Sequence, residues 1–264
     1  MRSPAVAGQF YPRNPEGLKR ELDRLFSMVA KEELQALGAV VPHAGYVYSG
    51  PVAAEVYARL PQRDTYVIIG PNHHGLGAPV ALSKESWRTP LGAVEADSEI
   101  ADALAGTIID QDETAHLHEH SIEVQLPFLQ AQFSGFKILA VAMGLQDEQT
   151  AVEVGVALGN AIRDLKRDCS VIASSDFTHY EPQEMARKVD ANLIEAILRM
   201  DIDELYRRIY KYDATACGYG PIAAAITASR IMGASSGKLL RYATSGDITG
   251  DYSQVVGYGA IAFT

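Results

Sequence analysis

The chain has 264 residues, 47% of them hydrophobic and 21% charged, which is enough apolar material for one sizeable core and too much for a disordered segment. Acids outnumber bases 33 to 23, a formal net charge of −10. That balance opposes nucleic acid and anionic membrane surfaces as partners, because phosphate binding needs a clustered basic face.

The opening MRSPAVAGQFYPRNPEG has no long apolar run behind its arginine, and no later segment approaches the roughly 18 uninterrupted apolar residues of a membrane span, so a cytoplasmic protein is expected. Asn14 followed by Pro15 signals a helix start, and Leu18, Leu22, Leu25, Phe26 and Val29 then recur at helical spacing. After this helix one theme repeats: a short apolar run, a polar or glycine-rich stop, then a helical pattern. The runs are Leu37 to Val41, Tyr66 to Ile69, Phe136 to Val141 and Val171 to Ala173, and their lack of polar alternation suits strands buried on both faces. Helical patterns fall at Val52 to Leu60, Ser98 to Thr107, Ser121 to Phe133, Glu148 to Leu165, Gln183 to Met200, Asp203 to Tyr210 and Ile222 to Met232. Lys238 to Ala243 and Val255 to Phe263 read as a closing pair of strands, antiparallel to one another. The expectation is an α/β protein, a mixed sheet covered by helices on both faces. With no internal repeat or linker-like tract, one domain spanning residues 1–264 is expected.

Histidines collect at the strand ends, where ligands bind in open α/β sheets. Pro42-His43-Ala44-Gly45-Tyr46 follows the first run, Gly70-Pro71-Asn72-His73-His74-Gly75 the second, and Ser174-Ser175-Asp176-Phe177-Thr178-His179-Tyr180 the fourth. If those strands are parallel neighbours, their histidines share one crevice. Between them lies Ala115-His116-Leu117-His118-Glu119-His120-Ser121-Ile122-Glu123. Glu119 and Glu123 can serve the first turn of a helix here; alternatively His120 faces the pocket and Glu123, three residues on, orients it. His116 and His118 are expected at the surface.

Of the two cysteines, Cys169 reads as a small buried hydrophobe, and a disulfide to Cys217 is not expected in a reducing compartment. Cys217 precedes Gly218-Tyr219-Gly220-Pro221 at a helix amino end, where the dipole favours thiolate, the species that ligates metals or attacks electrophiles. Two imidazoles and a thiolate, His43, His73 and Cys217, would make an open three-ligand site suited to iron, copper or zinc and unsuited to magnesium or calcium. Ser174 and Ser175 lack the glycine elbow of a serine hydrolase, and Gly218 to Gly220 lacks the lysine of a phosphate loop. A thiol-catalysed pair of Cys217 and His179 stays open as a rival.

Taken in order, AGQFYP, PHAGY, GPNHH, EHSIE, SSDFTHY and the cysteine before GYGP closely resemble the Memo family, named for a mediator of ErbB2-driven cell motility, over nearly the whole chain. The resemblance implies the three-layer α/β/α fold of LigB-like class III extradiol dioxygenases, which open catechol rings with non-haem iron. It implies metal ligation by His43, His73 and Cys217, with Fe(II) expected and Cu or Zn as alternatives. In those dioxygenases a carboxylate stands where this chain has its thiolate. His179 matches their acid–base histidine, with Asp176 beside it. In the functional reading of the residues, His179 shuttles a proton, His120 and Glu123 line the pocket and Asp176 fixes a histidine tautomer. The family association also implies a small-molecule or peptide ligand and, among prokaryotic relatives, a radical-SAM partner. The resulting expectation is a non-haem iron redox or oxygenase-like protein, against a non-catalytic carrier or peptide binder and a zinc-assisted hydrolase.

Overall fold

The computed structural model describes residues 1–30 and 32–264. The helices are α1 (Pro15–Ser27), α2 (Tyr46–Tyr57), α3 (Ser98–Ala103), α4 (Leu126–Gln132), α5 (Glu148–Asp164), α6 (Gln183–Leu198), α7 (Ile202–Tyr212), α8 (Tyr219–Met232) and the short α9 (Gly246–Thr249). The strands are β1 (Gly38–Val41), β2 (Thr65–Pro71), β3 (Val80–Ser83), β4 (Trp87–Thr89), β5 (Gly92–Val94), β6 (Asp110–Gln111), β7 (Lys137–Met143), β8 (Cys169–Ser174), β9 (His179–Glu181), β10 (Gly237–Thr244) and β11 (Val255–Phe263).

Nine strands form one mixed sheet in the order β10-β11-β1-β8-β2-β7-β3-β6, with β9 added against β11. Its centre is parallel: β8 lies between β1 and β2, and β2 pairs β7. β1 meets β11, and β7 meets β3, in antiparallel register. Along β2, Tyr66 and Ile68 enter one core while Val67 and Ile69 enter the other. That period-2 division between two apolar cores is what a sheet covered on both faces requires. One core packs under α1, α2 and α4, the other under α5 to α8, and the result is the three-layer α/β/α arrangement of the LigB-like fold.

α1 begins as its sequence predicts. The Asn14 side chain accepts from the backbone N–H groups of Glu16 and Gly17, and Leu18, Leu22 and Leu25 are fully buried. Two helices differ from expectation. α2 starts at Tyr46, six residues before the predicted start, because Pro51 lies inside it rather than ahead of it. The stretch 121–133 is not one helix: residues 121–122 form a turn, Glu123–Gln125 a 3-10 turn, and α4 follows, with Pro127 in its first turn. The short strands β3 to β6 and β9 are not among the predicted runs; β4, β5, β6 and β9 have only two or three residues, too few to display a period. Among the described residues no helix is long and apolar enough to cross a membrane.

Candidate metal centre

The carboxyl ends of β1, β8 and β2 lie side by side, so the residues that follow them meet over the sheet edge. His43 follows β1, His73 follows β2, and the 174–179 segment leaves β8 between them. Cys217 arrives from the far side, one residue before Gly218, which caps α8. A Cβ on Gly218 would sit 2.6 Å from the Ser174 carbonyl oxygen, so only glycine lets this turn close on the end of β8. Likewise a Cβ on Gly70 would sit 2.4 Å from Ser121 Oγ, and its absence lets the 119–122 loop lie against β2.

One donor atom each from His43, His73 and Cys217 lies within 4.8 Å of the others. Cys217 Sγ is 3.2 Å from His43 Nε2. Ligands held at about 2.0–2.3 Å around a tetrahedral ion stand ~3.5 Å apart, so the spacing suits a common cation.

Hydrogen bonds aim the imidazoles. The Ser174 hydroxyl donates its one proton to the Ser121 carbonyl at 2.6 Å and accepts from Gln125 Nε2 at 2.8 Å. The third partner of that oxygen, His43 Nδ1 at 2.9 Å, must therefore donate, which leaves Nε2 as a lone pair toward the sulfur. His73 Nδ1 donates to Glu119 Oε1 at 3.0 Å, which again frees Nε2. His179 Nδ1 donates to the Thr215 carbonyl at 2.9 Å, with the same consequence. A carboxylate, a hydroxyl and a carbonyl each locking a histidine as the Nδ1–H tautomer is the outer shell that metal-binding imidazoles use.

Glu119, expected to serve the first turn of a helix, stands behind His73 instead. It is fully buried and accepts from the backbone N–H groups of His73, His120 and Ser121 besides the His73 ring. Burial pushes its carboxyl up, but the hydrogen bonds from the His73 ring and the Ser121 backbone N–H help hold it well below the usual carboxylate range. Its position between two histidines was visible; its burial was not. His120 stacks on His73 with ring centroids 4.7 Å apart and lies 3.4 Å from Glu119 Oε1. Burial lowers the His120 ring to about 4, so the ring is neutral.

Several expectations are corrected. Glu123 does not orient His120: its carboxylate accepts from Arg2 Nη1, the Tyr11 hydroxyl and the backbone N–H groups of Ala5 and Val6. A salt bridge in a dry core outcompetes a neutral ring. His116 is buried rather than at the surface, because the same Arg2 binds the His116 carbonyl and draws it inward; His118 is exposed as expected. The Cys217 thiol is not lowered: burial and then the Asp176 charge push it up, more strongly than one helix end can offset. Asp176 fixes no ring tautomer. Its Oδ1 accepts from the His43 backbone N–H at 2.8 Å, Oδ2 stands 4.0 Å from His43 Nε2, and burial pushes the carboxyl up to about 6. The Cys217 sulfur faces His43, and among the described residues no hydrogen bond joins it to His179. Cys169 is free and buried, its thiol pushed up to about 12 by burial, as a packing residue should be.

At the ligands opens a cleft of about 520 Å³, lined by His43, His73, His120, Asp176 and His179 and by the rings of Phe10, Tyr48 and Tyr180. A three-layer α/β/α sheet with an open cluster of imidazole and thiol donors at its strand ends defines a class of potential metal-binding proteins.

The model of the Memo-like protein family matches residues 2–262. A MEMO1 family protein of Methanosarcina mazei is 56% identical over 262 residues, covering 99% of this chain and 98% of its own. One from Methanothermobacter thermautotrophicus is 49% identical over 276 residues, covering 99% and 100%. The crystal structure of an uncharacterized protein from Escherichia coli K12 superposes with a TM-score of 0.57 at 12% identity, covering 86% of this chain and 100% of that one, a likeness of fold alone. The chain belongs to the Memo family.

Proposed function

We propose that this is a metalloprotein in which His43, His73 and Cys217 hold iron(II) and an open coordination position serves redox chemistry on a small ligand in the cleft. The observation that carries the reading is the convergence of three donor atoms within 4.8 Å, two of them imidazole nitrogens whose protons are held on the opposite side of the ring. When bound, such a cation supplies Lewis acidity and a redox couple; mixed nitrogen and sulfur ligation suits iron, copper or zinc.

The surrounding residues divide the remaining work. Ser174 and Glu119 aim the two rings, and Cys217 yields its proton when a cation takes its place, so metal uptake releases acid. His179, with Nδ1 tied to Thr215, keeps a free Nε2 in the cleft wall and acts as the proton acceptor for a bound ligand. Asp176 holds the His43 backbone, and His120 walls the cleft on the His73 side.

Elemental analysis of protein purified without oxygen tests the assignment. About one iron per chain is expected, with loss of metal from His43→Ala and Cys217→Ser while the far-ultraviolet circular dichroism stays native. Unchanged stoichiometry in both variants defeats it. Oxygen consumption by the iron-loaded protein that depends on His179 separates turnover from a metal carrier. Activity confined to zinc-loaded protein favours a hydrolase.

A further inference from the structure

Four non-glycine residues among those described have positive φ: Lys166, Tyr180, Met200 and Asp213. Three of them close helices: Lys166 and Met200 directly follow the caps of α5 and α6, and Asp213 is itself the cap of α7. A left-handed residue is the ordinary helix ending there. Tyr180, with φ +60°, has no such reason. It is the middle residue of β9, and the pairing of β9 with β11 shifts there: Val255 faces Glu181 and Val256 faces His179, so Tyr180 is the extra residue of a bulge. Glycine is the usual occupant of a left-handed bulge position, and a bulky ring there is rare. The ring is not present for packing, since Tyr180 is 70% exposed.

What the bulge achieves is placement. In a regular strand the neighbours His179 and Tyr180 would point to opposite faces. Here both line the same cleft, with their rings 5.8 Å apart. Backbone strain retained beside a candidate site, with no structural return, is the signature of a residue kept for what it touches. The rest of the lining states what that is. Phe10, Tyr48 and Tyr180 offer flat apolar faces, and the charged side chains of the described lining are Asp176 and Asp251, with no lysine or arginine. Rings favour a planar or cationic guest, and acids without bases disfavour an anion.

Resting on the reading of the cleft as a ligand site, we propose that it takes a small molecule with one aromatic ring and a neutral or cationic head, and that Tyr180 is a ligand-contacting residue held in a strained bulge for that purpose. Three probes of equal size and different charge test it: benzylamine, benzyl alcohol and benzoate, titrated by calorimetry into zinc-loaded and into chelator-treated full-length protein. Benzylamine is expected to bind at least tenfold tighter than benzoate in the chelator-treated form, where no cation can take up the carboxylate. Tyr180→Ala should lose about tenfold for benzylamine, and Tyr180→Gly should do the same while its melting temperature stays level or rises by about 2 °C, because glycine relieves the left-handed strain. Benzoate binding as tightly as benzylamine to the chelator-treated protein, wild-type affinity in Tyr180→Gly, or no binding of any probe at millimolar concentration would overturn the proposal. Metal content measured on the same samples separates this from the metal assignment: Tyr180-dependent binding in protein that takes up no metal sinks the latter alone.

Discussion

Glu119 receives both the backbone N–H of His73, at 2.6 Å, and the ring Nδ1 of the same residue, at 3.0 Å. One buried carboxylate thus sets where His73 sits and which ring nitrogen is free, and two more backbone N–H groups, of His120 and Ser121, converge on it. Together with the Ser121 hydroxyl, which donates to the Pro71 carbonyl at 3.0 Å, this side chain ties the 119–121 loop to the end of β2.

Replacing that side chain should therefore act on metal and on stability together. Glu119→Gln is expected to weaken metal affinity about 10- to 100-fold, the usual cost of losing a partner behind a ligating imidazole. It should also destabilise the fold by about 2–4 kcal/mol, because an amide nitrogen meets donors where an acceptor stood. Competition with a chelator of known affinity measures the first effect and urea unfolding the second. Wild-type affinity would remove Glu119 from the centre.

The tautomers are open to direct observation. Nitrogen-15 spectra of the imidazoles at neutral pH should show His43, His73 and His179 protonated at Nδ1 and bare at Nε2. Ser174→Ala should release His43 from that form and lower metal affinity, leaving His73 unchanged. Nε2 protonation of His43 in the wild type would contradict the hydroxyl's proton assignment.

Glu123 is expected to matter for folding and not for metal. It is fully buried against Arg2, and breaking a buried pair by removing one partner costs about 3–5 kcal/mol. Glu123→Gln should lower stability on that scale and keep the wild-type metal stoichiometry. Metal loss with unchanged stability would return Glu123 to the site.

His116 makes stability depend on pH. Both ring nitrogens are buried and without a partner among the described residues, and burial followed by the nearby Arg2 charge lowers its pKa to about 4. Between pH 6.5 and about 4 the unfolded chain binds a proton that the folded chain refuses, so stability from this residue is full above 6.5 and is lost as pH falls. The loss is of order 3 kcal/mol across that window. His116→Leu should flatten this part of the profile and raise the melting temperature at pH 5; an unaltered slope would mean the ring is protonated or solvated in the fold.

Much of the framework can be read from order and spacing. The apolar runs ending at Val41, Ile69, Val141 and Ala173 became β1, β2, β7 and β8, because strands buried on both faces leave no polar residue to blur them. His43, His73 and His179 announced themselves by following such runs, and parallel neighbours share their carboxyl ends whatever lies between them in the chain. The short strands β3 to β6 could not be read, since β4 and β5 exist by pairing with one another and β3 and β6 by pairing beside β7, not by any pattern of their own.

What the linear order determines is therefore periodic or positional: buried strands, amphipathic helices such as α1, and histidines at strand ends. Tertiary structure alone decided that Glu119 and not Glu123 serves His73, that Arg2 claims Glu123 from 121 residues away, and that His116 is inside. It also placed Cys217 beside His43 across 174 residues. Hydrogen bonding and desolvation act over a few ångströms of space, and which polar groups come that close is a property of the packed chain, not of their spacing along it.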